Sequence, residues 1–155
     1  MGFRVSKEAE ISVLMPAYNA ERYIREAIDS ILVQTFQDFE LIILNDGSTD
    51  KTEQIIHSYH DYRIRYVDGG RNVGLARVRE KLLRLASGKY WAWMDADDRS
   101  HPERFALQVA ALQAHANWVA VGSQLGTINE KGESMERFFR LPCAPEHVAV
   151  EMMFQ

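Results

Sequence analysis

Three carboxylates stand within four residues in Met94-Asp95-Ala96-Asp97-Asp98, directly after the apolar run Tyr90-Trp91-Ala92-Trp93. Like charges this close repel, and a carboxylate beside an apolar core loses hydration. A metal ion or polar ligand would offset that cost; the plainer alternative is a solvated loop. Asp95 and Asp97 are two residues apart, so one can hydrogen-bond a ribose while the other reaches a cation. Hard oxygen donors with no histidine or cysteine nearby suit Mg2+ or Mn2+ better than zinc.

Two further polar clusters share this character, Pro16-Ala17-Tyr18-Asn19 and Asn45-Asp46-Gly47-Ser48. Tyr18 offers an aromatic face for a base, and Asp46 can accept a hydrogen bond from a ring N–H; otherwise they are a rim residue and a turn-former. Arg71, Arg77 and Arg79 surround the Asn72-Val73-Gly74 turn, and Arg79 is the one assigned to a diphosphate. The five histidines, His57, His60, His101, His115 and His147, are scattered without metal-ligand spacing.

These clusters need a scaffold. Ile11-Ser12-Val13-Leu14-Met15 reads as a buried strand stopped by Pro16. Ile24, Ala27, Ile28, Ile31 and Leu32 recur at helical spacing, with Glu21, Arg25, Glu26 and Asp29 toward water. Phe39 to Leu44 repeats the strand signal without alternation, as a central parallel strand does. Asp50 with Glu53 resembles a capping box opening a helix to about Tyr59. Ile64 to Val67 is a third strand. A helix with Leu75, Val78, Leu82 and Leu85 on one face follows, with Gly88 as its C-terminal cap.

The Tyr90 to Trp93 run is then a buried fourth strand, and Trp91, Trp93 and Trp118 are expected in the core. Ser100-His101-Pro102-Glu103 reads as a capping box opening a helix through about Ala114. Trp118 to Val121 is a fifth strand. Leu125 to Ile128 and Met135 to Phe139 form a β-hairpin, and Pro145 to Phe154 a short helix. Alternating strands and helices imply an α/β fold, a three-layer α/β/α sandwich with a mainly parallel central sheet. The three polar clusters follow strands one, two and four, at the carboxyl edge where such sheets bind ligands. Helix N-termini behind the first two turns favour an anionic ligand.

Composition narrows the classes. The 155 residues suit one domain over 1–155, and 46% hydrophobic with 26% charged residues is ordinary for a globular protein. A net charge of -4 and no Lys/Arg block make nucleic acid an unexpected partner. The single Cys143 excludes an intramolecular disulfide and suits a reducing compartment. No apolar run approaches the roughly 20 residues that span a bilayer, so no transmembrane segment is expected. The cytoplasm, including the inner face of the membrane, is the expected location.

Four segments in this order resemble the family 2 glycosyltransferases with the GT-A, Rossmann-like fold. They are Val13-Leu14-Met15-Pro16-Ala17-Tyr18-Asn19, Glu40-Leu41-Ile42-Ile43-Leu44-Asn45-Asp46-Gly47-Ser48-Thr49-Asp50, Asn72-Val73-Gly74-Leu75-Ala76-Arg77-Val78-Arg79 and Met94-Asp95-Ala96-Asp97-Asp98. The resemblance covers about Ile11 to Gln155. It implies a nucleotide-diphosphate-sugar donor, commonly a UDP sugar, with the Pro16-Ala17-Tyr18-Asn19 loop and Asp46 holding the base. By the same likeness Asp95 binds ribose, while Asp97 and Asp98 bind Mn2+ or Mg2+. Arg79 matches a recurrent arginine, but Glu80 stands where an asparagine often follows and Arg77 where a small residue is usual.

Such enzymes transfer a hexose with inversion to a glycan or lipid-linked acceptor, often in polysaccharide and cell-envelope synthesis. Their base lies in a later part of the domain, so the expected catalytic base is beyond Gln155. The chain is then expected to bind a donor with little transfer, and to expose apolar surface near Phe138, Phe139, Met152 and Phe154 that favours a homo-oligomer. Rival readings are a non-catalytic nucleotide-binding or interaction module and a nucleotidyltransferase-like enzyme. The latter would carry a glycine-rich, basic loop after strand one, where Pro16-Ala17-Tyr18-Asn19-Ala20 stands instead.

Overall fold

The computed structural model describes residues 9–129 and 132–139. Contacts group the chain into two compact units that divide after Leu107. The first holds β1 (Ile11–Ala17), α1 (Ile24–Leu32), β2 (Phe39–Asn45), α2 (Thr52–His57), β3 (Ile64–Asp68), α3 (Leu75–Leu85) and β4 (Tyr90–Trp93). Helix α4 (Arg104–Ala114) begins in it. The strands form one sheet in the order β3-β2-β1-β4, every pair parallel.

That order fixes the layers. The chain steps from β1 to β2 to β3 in one direction, then returns past β1 to β4. Right-handed crossovers therefore place α1 and α2 on one face and α3 on the other. Leu14, Ile42 and Leu44 on the second face pack against Val78 and Leu82 of α3. Val13, Met15, Leu41 and Ile43 alternate to the opposite face and are equally buried. Strands covered on both faces explain the continuous apolar runs of β1 and β2, and the three-layer α/β reading holds.

Helix α1 buries Ile24, Ala27, Ile28 and Ile31, the face its sequence period indicated. Asp50 Oδ1 accepts the Thr52 N–H at 2.9 Å in a local turn just before α2, but the N-cap position is Lys51 and carries no side-chain cap, so the expected capping box is not formed. Glu53 lies 3.6 Å from His57 instead of reaching back to the helix start.

Several expectations are corrected. Among the described residues strand β4 pairs on one side only, with β1, so it stands at the edge of this sheet. Trp91 is 60% exposed and Trp93 37%, and neither is a core residue. Gly88 does not cap α3; it lets the chain pass β1, since a Cβ there would lie 2.6 Å from the Ser12 backbone nitrogen. The Ser12 hydroxyl accepts the Ser87 and Gly88 N–H groups at 3.1 and 2.8 Å and donates to Glu40 Oε1 at 2.6 Å. Ser100 opens no helix. Its hydroxyl accepts from buried Gln34, and α4 starts four residues later at Arg104.

An ion pair near the opposite end of the sheet contributes an acid-sensitive share of the stability. Asp61 binds the Arg63 guanidinium at 3.0 and 2.7 Å, and that guanidinium lies 4.6 Å from the Phe39 ring centroid. Hydrogen bonding from Arg63 holds the Asp61 carboxyl below its ordinary 3.8. A depressed folded-state value stabilises above 3.8 and is lost as pH falls through the lower native value. Asp61→Asn is expected to cost about 1 to 3 kcal/mol at neutral pH, because the mostly buried Arg63 guanidinium keeps Gln37 and the Leu32 carbonyl but loses its carboxylate partner. Urea melts across the acid range should show the gap between variant and parent closing below pH 4.

In the second unit β5 (Leu125–Ile128) and β6 (Ser134–Phe139) pair antiparallel, the hairpin the sequence indicated, with an irregularity between Gly126 and Ile128. The fifth strand expected over Trp118 to Val121 is not formed. The Trp118 N–H turns back to the His115 carbonyl at 2.9 Å, its ring stacks on the His115 ring at 3.9 Å, and Val119 is 99% exposed. β-branched residues favour a strand only when a neighbour supplies the ladder. The expected helix over Pro145 to Phe154 lies outside the described residues. So do Met152 and Phe154 of the expected apolar surface and the side chains of Phe138 and Phe139.

Candidate active site

The carboxyl ends of β1 and β2 are held together before any side chain points outward. Asp46 donates its N–H to the Ala17 carbonyl at 2.8 Å, and Gly69 donates to that of Asn45 at 2.8 Å. Beyond the strands, the β1–α1 loop is tied to the β2–α2 loop by a ladder of side-chain bonds. Asn19 Oδ1 accepts the Thr49 N–H at 2.8 Å, and the Asn19 N–H reaches Ser48 Oγ at 3.0 Å. Ala20 donates to buried Thr52 Oγ1 at 2.8 Å, and Glu21 to Asp50 Oδ2 at 3.0 Å. Asn19, with φ of 48°, thus bends the loop and clamps it.

Asp46 is 4% exposed. Its two oxygens accept the N–H groups of Val73 at 2.9 Å and Gly74 at 3.1 Å, which fixes the turn that starts α3. Gly74 sits at φ 89°, ψ 154°, a conformation open to glycine. Each carboxylate oxygen has a second lone pair, so Asp46 retains acceptor capacity. Around it Pro16, Ala17, Tyr18, Asn72, Gly74, Leu75 and Val78 line a recess of about 170 Å³. A cavity of about 150 Å³ accepts a benzene ring, so this one is of the size for a single six-membered base. Tyr18, half exposed, forms its rim.

The acidic loop lies alongside. Strand β4 pairs Trp93 with Leu14, and Met94 donates its N–H to the Leu14 carbonyl at 3.1 Å, which brings Asp95 level with Pro16. Asp95 accepts from Arg79 at 3.2 Å, and the Arg79 guanidinium lies 5.3 Å from the Trp93 ring centroid. Arg79 Nε is buried without a partner among the described residues. Asp97 and Asp98 are exposed. Asp98 stays open to solvent, yet the protein atoms packed around its carboxyl strip part of its hydration and, with the neighbouring Asp97 and Asp95 charges, push it up, with Arg104 opposing. A cation beside these carboxylates would favour their charged forms.

Among the described residues no three carboxylate, imidazole or thiol groups converge as a complete metal site. Mg2+ and Mn2+ do not require one: they are commonly held by one or two carboxylates together with substrate phosphates. The donor chemistry of Asp97 and Asp98 therefore fits such an ion.

Of the residues chosen from sequence, Pro16, Ala17, Tyr18 and Asp46 meet at one recess, while Arg79 and Asp95 meet beside it. Asn19 is brought to the same edge with its side chain committed to Thr49. Asn72, Gly74, Leu75 and Val78 stand out in the sequence only as the setting of the arginines or as helix residues, yet they form the far wall. The signal available was the Gly74-Leu75 junction, a glycine at the start of an apolar helical period.

The family model for Glycosyl transferase family 2 matches residues 12–146, and the chain belongs to that family. An uncharacterized glycosyltransferase of Haemophilus influenzae is 42% identical over 125 residues, 78% of this chain and 38% of that protein. Glycosyltransferase GlyA of Streptococcus pneumoniae is 35% identical over 119 residues, 74% of this chain and 16% of that protein. The chain spans half or less of the length of these curated relatives.

Among solved structures, S. aureus TarS 1-349 in complex with UDP-GlcNAc aligns with a TM-score of 0.66 at 31% identity, over 69% of this chain and 32% of that one. Glucosyl-3-phosphoglycerate synthase from Mycobacterium tuberculosis, in complex with Mn2+, UDP and glucosyl-3-phosphoglycerate, aligns at 0.54 and 30% identity, over 69% and 40%. The fold is GT-A.

Proposed function

We propose that this chain binds the nucleotide-diphosphate-sugar donor, a UDP sugar with Mn2+ or Mg2+, of an inverting glycosyltransferase. The observation that carries the reading is the Asp46 carboxylate in the wall of a ring-sized recess, at the same sheet edge as the exposed Asp97 and Asp98. A pyrimidine would enter between Tyr18 and the Asn72 to Leu75 wall, its ring N–H meeting Asp46. Asp95, level with Pro16, would take a ribose hydroxyl, and Arg79 would turn from Asp95 toward the diphosphate.

Asp97 and Asp98 would hold the metal, which supplies positive charge to the leaving diphosphate. In the transfer an acceptor hydroxyl attacks the anomeric carbon, the bond from that carbon to the diphosphate oxygen breaks, and the acceptor's proton passes to a base. We assign no base among the described residues. The UDP-GlcNAc complex of TarS and the Mn2+ and UDP complex of the M. tuberculosis synthase support this reading.

Calorimetric titration of UDP with and without Mn2+ tests it. Metal-dependent binding is expected, weakened at least about tenfold in Asp97→Ala, a loss seen even for groups one shell removed from a metal. Binding that ignores both the metal and Asp97 would refute the metal assignment. Absence of any UDP binding would favour a non-catalytic interaction module.

A further inference from the structure

The chain as a whole is acidic, yet its charge is segregated. Between Arg65 and Arg84 stand six cations and two acids, a net of plus four in a protein whose total is -4. The structure gathers most of these cations on one outer surface. Helix α3 buries Val78 and Leu82 against the sheet, which turns Arg77, Lys81 and Arg84 outward along one stripe at spacings of four and three. All three are exposed.

Arg65 joins them from β3. It is in register with Ile42, which faces α3, and its guanidinium donates to the Leu85 carbonyl at the end of that helix at 3.2 Å. Arg71 extends the surface at the turn before α3, and it too is exposed. The acid on this helix, Glu80, is neutralised by Arg84 at 2.7 Å.

We propose that the outer face of α3, with Arg65 and Arg71, docks on the anionic surface of a lipid bilayer. A charged surface senses charges within about a Debye length, roughly 10 Å at moderate salt, so the local excess of cations outweighs the distant acids. Clusters of four to eight Lys/Arg on a helix surface suffice for binding to anionic lipid. The same docking leaves the N-terminal end of α3, where Gly74 and Leu75 line the recess, beside the membrane. An acceptor anchored in lipid would meet the donor there. A duplex nucleic acid is the competing polyanion, less suited because the stripe is one helix long.

The docking face shares no tested residue with the recess, so the proposal and the nucleotide reading fail separately. Flotation of the full chain with vesicles of phosphatidylcholine alone, or with phosphatidylglycerol added, reads the first; UDP calorimetry reads the second. Binding is expected to the anionic vesicles alone and to vanish near 1 M salt, where the Debye length is about 3 Å. The triple variant R77Q/K81Q/R84Q should bind about a hundredfold more weakly, on the order of fivefold per cation, with an unchanged UDP titration. Equal binding to both vesicle types, no binding to either, or a triple variant that floats like the parent would overturn the proposal. Capture by a DNA duplex with no vesicle binding would overturn it in favour of nucleic acid.

Discussion

Asp46→Ala is expected to abolish measurable UDP binding and to destabilise the first unit by about 2 to 4 kcal/mol. Both effects come from one carboxylate. Its oxygens satisfy the Val73 and Gly74 N–H groups, 27 and 28 residues along the chain, and alanine would strand both donors at the start of α3. The same residue lines the recess, so its loss removes the acceptor proposed for a base N–H and loosens the wall that holds the ring.

Asp46→Asn separates the two roles. An amide keeps one carbonyl acceptor but presents N–H2 where the second backbone donor needs an oxygen. Its stability loss should be about half that of alanine, while its UDP affinity still falls by at least about tenfold, the cost of one charged hydrogen bond. Thermal melts with and without UDP would measure both. If Asp46→Asn bound UDP like the parent, the assignment of Asp46 to the base would be wrong, even if the melt showed the loop to be weakened.

How much of this is legible in the sequence depends on the range of the interaction. β1, β2 and β3 announce themselves locally, as apolar runs, with β2 closed by the Asn45 to Asp50 turn and β3 by Gly69-Gly70; Pro16 does not stop β1 as expected, since the strand pairs on through Pro16 to Ala17. The apolar period of α1 matches its buried face at Ile24, Ala27, Ile28 and Ile31, with Leu32 at the half-buried margin. Composition does not say how many neighbours a strand has, so Tyr90 to Trp93 reads as buried although among the described residues it pairs only with β1. Trp118 to Val121 misleads for the same reason, an apolar run with no ladder to join. Gly88 looks like a helix terminator because its real constraint, the backbone of Ser12, lies 76 residues away.

The site divides along the same line. Carboxylates after strands can be found by position and chemistry, and Asp46, Asp95, Asp97 and Asp98 all fall at the edge where the topology places them. The Asn19 to Thr49 and Ala20 to Thr52 bonds bridge loops about 30 residues apart, and no local pattern records them. Without that ladder, Ser48, Thr49 and Asp50 read as helix-capping residues alone, when they also hold the tyrosine loop against the aspartate loop.

Gly47→Val tests the other half of this architecture and is expected to be as damaging as loss of Asp46. Gly47 sits at φ 68°, where a β-branched residue is strained by roughly 1 to 2 kcal/mol. A Cβ there would also lie 2.7 Å from the Asn72 nitrogen and 2.8 Å from the Arg71 backbone. Those atoms belong to the main chain, so the 71–74 turn must move, and with it the donors that Asp46 holds and the recess wall at Asn72 and Gly74. We expect a total cost of about 3 to 5 kcal/mol, strain and overpacking together, and a UDP affinity reduced by more than about tenfold. Gly70→Val is the control. Gly70 has φ of 78°, but a Cβ there would meet nothing within 4 Å, so it should show the strain alone and keep UDP affinity. If both variants lost stability equally and bound UDP equally, close packing of the 71–74 turn on Gly47 would have no part in shaping the recess.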